Sequence, residues 1–392
     1  MKKVALALAG LALGTSVFAE GFKLSGDVKG GWSLTQNEIK NGDTEAKTAG
    51  VHVNKYLVGD EFDTDARARL NFSWASEGDV AGAFVRLQDT PNYDQVDVKL
   101  AYAWLKGFDG KFQMQAGKLD TLFGTGGYND SDVHGGLGFF AGVSPIEGLL
   151  IGGGAQTDWL KTKDTKTTKV PTYDEDTDSV TTKDTTTGGK LAASKDGIYF
   201  GAKYTNKDIN NLSVAASYSL AGFLSAGVCV DPVEKLFVSV ELENKSADYI
   251  KANGDTDILG AKGDFRNTIY ERIEYTGVEN LSVGLNAKQQ LKAQANGSDD
   301  DADLTVIYLD PFARYEINDL FAVSLEAQIT INSWDEDKYG KTDAAQVIVP
   351  AFYLKPAKGA EATVWAAIST HTDTKDSWSK QHQFGTGVKF GF

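Results

Sequence analysis

Six arginines occur in the 392-residue sequence, and three of them, Arg67, Arg69 and Arg86, fall in one short stretch. They do not scatter over the local pattern. Ala66, Ala68, Leu70, Phe72 and Trp74 take one parity, and Arg67, Arg69, Asn71 and Ser73 take the other. Arg86 and Lys99 continue the polar parity of the next two alternating segments. Glu241, Glu243, Glu326 and Glu361 lie on the polar parity of later segments. Fixed charges that share a wetted wall attract, repel and orient ions and dipoles beside them. Other chemistries find less support. His52, His134, His371 and His382 show no metal-ligand spacing, and none follows a nucleophile motif. Asp299-Asp300-Asp301-Ala302-Asp303 lacks the glycine turn and terminal glutamate of a calcium loop. Gly152-Gly153-Gly154 precedes neither lysine nor helix, so it reads as relief of crowding in a curved sheet. With no Ser/His or Asp/His grouping, the sequence implies neither an enzyme nor a cofactor.

Alternation is also what must position these charges. It recurs at Phe22–Leu34, Ala81–Leu87, Val96–Trp104, Phe112–Ala116, Ile198–Tyr204, Leu212–Leu220, Leu236–Leu242, Leu281–Leu291, Phe321–Ile331 and Ala360–Ile368. Such segments are strands with one wet and one apolar face. Connectors alternate between short and long. Four short ones share a repeat leading into a strand: Ile209-Asn210-Asn211-Leu212, Val233-Glu234-Lys235-Leu236, Val278-Glu279-Asn280-Leu281 and Ile317-Asn318-Asp319-Leu320, with Ile146-Glu147-Gly148-Leu149 close to them. Long connectors include Gln36–Phe62, Leu119–Gly136, Ser246–Gly263 and Trp159–Asp196, the last a Thr/Lys/Asp run expected to be solvated and mobile. The count of turns predicts eighteen strands, or sixteen if Leu212–Asp231 is not a hairpin of the wall.

Composition narrows the class. At 41% hydrophobic and 11% aromatic the chain is too apolar for disorder, despite a formal charge of −15. That acidic excess argues against nucleic acid as a partner. A lone cysteine, Cys229, excludes disulfide frameworks and multi-cysteine metal sites, and reads as a small lipid- or lumen-facing residue. Met1-Lys2-Lys3, the apolar run Val4–Leu13, and Val17 and Ala19 form a secretory signal expected to be cleaved after Ala19. The mature chain would then be one domain, residues 20–392. No later stretch approaches the ~20 apolar residues of a helical span. Segments of about 9–11 residues, short turns on one edge and long loops on the other, instead fit strands crossing a bilayer. Trp32, Trp74, Tyr102, Trp104 and Tyr353 stand near strand ends, where an interfacial aromatic girdle is expected.

Two resemblances sharpen this. Phe384, Thr386, Val388, Phe390 and Phe392 alternate with Gly385, Gly387, Lys389 and Gly391. The pattern resembles the terminal strand of Gram-negative outer-membrane proteins, in which Phe390 and Phe392 would be read by the barrel-assembly machinery. Ala101–Phe112 followed by Ala116-Gly117-Lys118-Leu119-Asp120 resembles the strand–turn–strand of the general porins that precedes their constriction loop. The family resemblance implies a closed antiparallel transmembrane β-barrel in the outer membrane, with short periplasmic turns and long extracellular loops. It implies passive diffusion of small hydrophilic solutes and ions, contact with outer-membrane lipid, and a homotrimer. Residues 119–136 would be the constriction loop and 159–196 an external loop. Phe123-Gly124 is kept from the family's loop, but Thr121-Leu122 stands where Pro-Glu is usual. The acidic role would then pass to Asp120, Asp130 and Asp132, opposite a basic wall of Arg67, Arg69, Arg86 and Lys99. A substrate-specific channel, for example for sugars, and a surface adhesin are the alternatives.

Overall fold

The computed structural model describes residues 21–41, 44–53, 67–89, 96–129, 136–156, 160–162, 166–174, 179–187, 191–193, 197–253, 264–294, 302–333, 345–371 and 377–392. The signal segment 1–19, Asp130 and Asp132 lie outside the described residues. The first strands are β1 (Phe22–Asn41), β2 (Thr44–Val53), β3 (Arg67–Ala75), β4 (Ala81–Asp89), β5 (Val96–Gly107) and β6 (Phe112–Leu119). Next come β7 (Gly136–Val143) and β8 (Leu149–Gln156), then β9 (Leu160–Thr162), β10 (Lys166–Asp174), β11 (Ser179–Thr187) and β12 (Leu191–Ala193). They are followed by β13 (Ile198–Asn206), β14 (Leu212–Ser219), β15 (Phe223–Val233) and β16 (Leu236–Lys245). A short helix, α1 (Ala247–Asn253), precedes β17 (Asp264–Val278), β18 (Leu281–Gln294) and β19 (Ala302–Glu316). The last four are β20 (Phe321–Ser333), β21 (Ala345–Ala357), β22 (Ala360–His371) and β23 (Ser377–Gly391).

Antiparallel neighbours run from β3 to β8, across to β13, and on to β23. β1 closes the ring, pairing with β3 on one side (Phe22↔Trp74) and β23 on the other (Val28↔Phe390). The result is a closed 18-strand barrel with one extra strand. Leu212–Asp231 is part of the wall, as β14 and β15, so eighteen strands hold and sixteen do not. The extra strand is β2, which pairs with β1 from Trp32↔Val53 to Asn41↔Thr44, where β3 no longer covers that edge. Part of the expected connector Gln36–Phe62 is therefore a hairpin. The run Trp159–Asp196 also differs from expectation, because β10 pairs with β11 and β9 with β12. Its threonines and valines favour extended backbone, and a local hairpin needs no apolar core to set its register.

Closure pairs each strand of the wall on both sides, and alternation then divides the residues between two environments. Val28, Trp32, Leu34, Trp74, Phe384 and Val388 are exposed on the outer face, whereas Lys29, Ser33 and Thr35 between them are buried on the inner one. Trp32 and Trp74 point outward, as a girdle requires, and three other expected members do not. Tyr102 and Trp104 turn inward because β5 carries a bulge: Arg86 pairs with Leu100 but Leu87 with Val98, leaving Lys99 as the extra residue. One extra residue exchanges the two faces of the strand beyond it. Tyr353 is inward and buried while its neighbour Phe352 is exposed outward, so aromatics on both parities hid the direction. Its hydroxyl is 3.0 Å from that of Ser324 on the inner wall.

Among the described residues, those packed inside form two clusters. One joins Leu119, Phe123, Phe140 and Tyr199, and the other joins Ala322, Val349, Ala351, Tyr353, Trp365 and Ala367. Glycines make room for these rings. A Cβ on Gly152 would lie 2.5 Å from the Phe140 ring, and one on Gly385 would lie 2.3 Å from Trp365. The repeat in the short connectors is turn chemistry. Its third residue has positive φ at Gly148 (78°), Asn211 (53°), Lys235 (66°) and Asn280 (61°). The same residue or its neighbour then presents a carbonyl to the next strand: Asp231 N–H donates to Asn210 O, Thr276 N–H to Lys235 O, and Glu316 N–H to Asn280 O. Each turn thus binds its hairpin to the following one along one rim.

Candidate functional site

The connector leaving β6 folds over the polar inner wall. Asp120 opens it, its Oδ1 accepting the Thr121 N–H at 3.0 Å. Phe123 is buried, its ring 5.8 Å from Phe140 in an edge contact and above Gly201, where a Cβ would lie 2.6 Å from it. Lys203 of β13 donates its ammonium to the Gly124 carbonyl. Beyond it the chain is held by one carboxylate. Thr125 Oγ1–H donates to Glu241 Oε1 at 2.6 Å, and the Asn129 N–H donates to Glu241 Oε2 at 2.7 Å. Glu241 is 1% exposed, so both oxygens are turned from solvent to the loop. Hydrogen bonds to an ionised oxygen are stronger than neutral ones, more so where water is excluded.

Further contacts align the segment along β15–β19. Cys229 Sγ–H meets the Thr125 carbonyl at 2.9 Å, the Tyr128 N–H donates to Ser239 Oγ at 3.2 Å, and Asn129 Nδ2 donates to Glu243 Oε1 at 3.0 Å. Tyr128 packs edge-on against Tyr270 at 6.0 Å, and its hydroxyl lies 3.4 Å from Asp310 Oδ2. Gly227 and Gly127 permit this approach, since a Cβ on either would come within 2.9 Å of the Glu241 side chain. The wall carboxylates here accept from the loop, while Lys203 and Cys229 of the wall donate to loop carbonyls. Cys229 lies on the lumen side, beneath the loop.

The arginines stand on the other side. In strand order, half the ring separates β1 from β15. Arg67 donates from Nε and Nη2 to Asp27 Oδ2 at 3.0 and 2.9 Å. Arg69 forks onto Gln88 Oε1 at 3.2 and 3.1 Å, and Arg86 Nε donates to Asn71 Oδ1 at 2.8 Å while lying over Phe84. Lys29 of β1 joins the row, in register with Arg67 on one side and Lys389 on the other. Lys99, at the bulge, pairs with Asp97 at 3.4 Å. The wall therefore holds each of these guanidinium groups by hydrogen bonds to a neighbouring side chain, which fixes its direction.

Of the predicted wall carboxylates, Glu241 and Glu243 meet the described part of the loop, and Glu326 and Glu361 stand on other stretches of the wall. Glu326 faces inward on β20, in register with Phe312 and Val349. Glu361 accepts from Arg314 Nη2 at 3.3 Å, in a group with Glu316 and Lys355. Phe390 and Phe392 are exposed, their rings 6.2 Å apart, and Phe392 exchanges backbone bonds with Gly26. Sequence reasoning missed Thr125, Asn129, Ser239, Lys203 and Tyr128, all uncharged except Lys203. It also missed Lys288, whose ammonium sits 5.8 Å from the Tyr270 ring centre and 5.3 Å from that of Tyr308. A Thr-Gly-Gly-Tyr-Asn run inside a polar connector was the available signal for the first of these.

What fold and site define together is a closed 18-strand barrel whose lumen is partly filled by a loop bound to its own wall. No family model matches the chain, and no curated protein does. Solved structures match with low identity. OmpT of Vibrio cholerae, an outer membrane protein folded in vitro, is 11% identical over 96% of this chain and 99% of that one, with a TM-score of 0.48. The anion-selective porin of Comamonas acidovorans is 12% identical over 95% and 99%, at 0.45. The outer membrane channel DcaP of Acinetobacter baumannii is 12% identical over 95% and 97%, at 0.43.

Proposed function

We propose that this chain is an outer-membrane channel for passive diffusion of small hydrophilic solutes and ions, narrowed by the loop 119–136. The observation that carries this is the binding of residues 123–129 to the polar inner wall through Glu241. A closed ring with an apolar exterior satisfies its backbone in hydrocarbon, and eighteen strands leave a wide interior. The inward loop then sets the narrowest passage between Arg67, Arg69 and Arg86 on one side and Glu243 and Asp310 on the other. Asp120, Asp130 and Asp132 add negative charge to the loop side, and Lys99, Glu326 and Glu361 extend the charged lining. Export by the N-terminal signal, assembly through Phe390 and Phe392, and a homotrimer belong to the same proposal. Charge reversal tests the eyelet. In lipid bilayers under a salt gradient, glutamates in place of Arg67, Arg69 and Arg86 move the reversal potential toward cation preference. An unchanged potential contradicts the assignment.

One observation favours a substrate-specific channel as the second reading. Lys288 between Tyr270 and Tyr308, beside Tyr128 and Asp310, offers a cation, ring faces and a carboxylate in one place. Saturable block of the current by one solute distinguishes that reading from free diffusion.

A further inference from the structure

The outer face is apolar strand after strand, and Glu271 breaks it. The outward parity of β17 runs Tyr275, Ile273, Glu271, Ile269, and the register sets Glu271 beside Val240 of β16 and Ala287 of β18. Tyr275, Ile273 and Val240 are exposed on this face, so the carboxylate stands among apolar side chains with one polar neighbour. Gln289 of β18 shares the outward parity, opposite Ile269 and Ile307, and its Nε2 donates to Glu271 Oε2 at 3.0 Å. By contrast, Lys118, on the same parity, lies next to the loop-side end of β6. Toward the loop rim the polar strip continues, with Asn244 Nδ2 donating to Asn267 Oδ1 at 2.7 Å.

A carboxylate facing hydrocarbon is disfavoured unless donors surround it, and an ionisable group in such a place signals a partner. Gln289 brings two N–H groups, one of them bonded to Glu271 Oε2. Among the described residues the second, and Glu271 Oε1, have no partner in the chain. Donor and acceptor stand side by side, which makes the patch self-matching. A two-fold axis along the membrane normal exchanges left and right, so Gln289 of one copy faces Glu271 of the other, and the reverse. We infer that two copies of this chain meet through the outer face of β16–β18, with Glu271 and Gln289 of each closing a ring of hydrogen bonds across the contact. The inference rests on the membrane reading above. A contact of this kind is isologous, so it does not build the three-fold assembly that the family resemblance implies.

Cysteine crosslinking of the full-length protein in liposomes tests it, with single-channel conductance recorded on every variant. Cys229 is buried under the loop, so the wild-type chain stays uncrosslinked under oxidation. Ile273→Cys, beside Glu271, is expected to give a covalent dimer, and Val364→Cys, exposed on β22, is not. Adding Glu271→Leu and Gln289→Leu to Ile273→Cys is expected to cut dimer yield roughly tenfold, the loss of two ordinary hydrogen bonds, with conductance unchanged. Conducting channels that crosslink no better at Ile273→Cys than at Val364→Cys overturn the inference and leave the channel reading intact. Undiminished crosslinking after the leucine substitutions also overturns it. Protein that neither inserts nor conducts overturns the membrane reading, and this inference with it.

Discussion

Glu241 joins two segments 116 positions apart, through the hydroxyl of Thr125 and, a few residues on, the N–H of Asn129. Glu241→Ala leaves that hydroxyl and N–H without their acceptor, at a stability loss of about 1–3 kcal/mol. The expected result is a lower unfolding midpoint together with a larger and noisier open-channel current. Gly227→Ala checks that the loop, and not the charge, sets the current. Its Cβ would meet Glu241 Cγ at 2.8 Å and Thr125 Cγ2 at 3.2 Å, so it lifts the same segment with the carboxylate intact. Equal currents in wild type and both variants contradict this role. Glu241 was legible as a carboxylate on a polar parity. That a loop would cover it was not, because Thr125, Asn129 and Ser239 are ordinary polar residues whose meeting depends on the fold.

At the scale of elements, the short turns carry the most readable chemistry. The repeat around Asn211, Lys235 and Asn280 was legible as a shared turn, and its third residue takes a left-handed conformation, where asparagine is tolerated and β-branched residues are not. Asn280→Val is expected to lower stability by about 1–2 kcal/mol, measured by denaturant unfolding in lipid, and Asn280→Gly to leave it nearly unchanged. The turn before β4 adds a pH dependence. The Lys106 ammonium bonded to the Asp79 carboxyl holds it below the usual carboxylate range, and Trp104 Nε1–H adds a second bond at 3.1 Å. A depressed folded value means stabilisation that is present above the unfolded value, near about pH 4, and is lost as pH falls through the folded one. Because the group is exposed the effect is small, and it appears as a shallower acid decline of thermal stability in Asp79→Asn than in wild type. The bulge at Lys99 was not legible. Leu100, Tyr102 and Trp104 continue the same parity as Val98 by eye, and only the register with β4 shows that they face the lumen.

Over the whole molecule, alternation and turn spacing anticipated eighteen strands, and the terminal-strand and porin resemblances added the closed ring, which leaves no edge of the wall unpaired. The β1–β2 hairpin and the β9–β12 arm were not anticipated, because polar strands outside the wall carry no apolar face to mark them. Inside and outside were also harder to separate than strand from loop. Trp365 and Tyr353 are bulky and largely apolar like Val364 and Phe352, yet they line the inner wall and the latter pair the outer one. A closed ring of this size is expected to enclose a continuous aqueous path. Recording from purified, folded protein in a planar lipid bilayer tests it most directly. Discrete, uniform conductance steps are the predicted result, and a bilayer that stays silent with the protein inserted would contradict it.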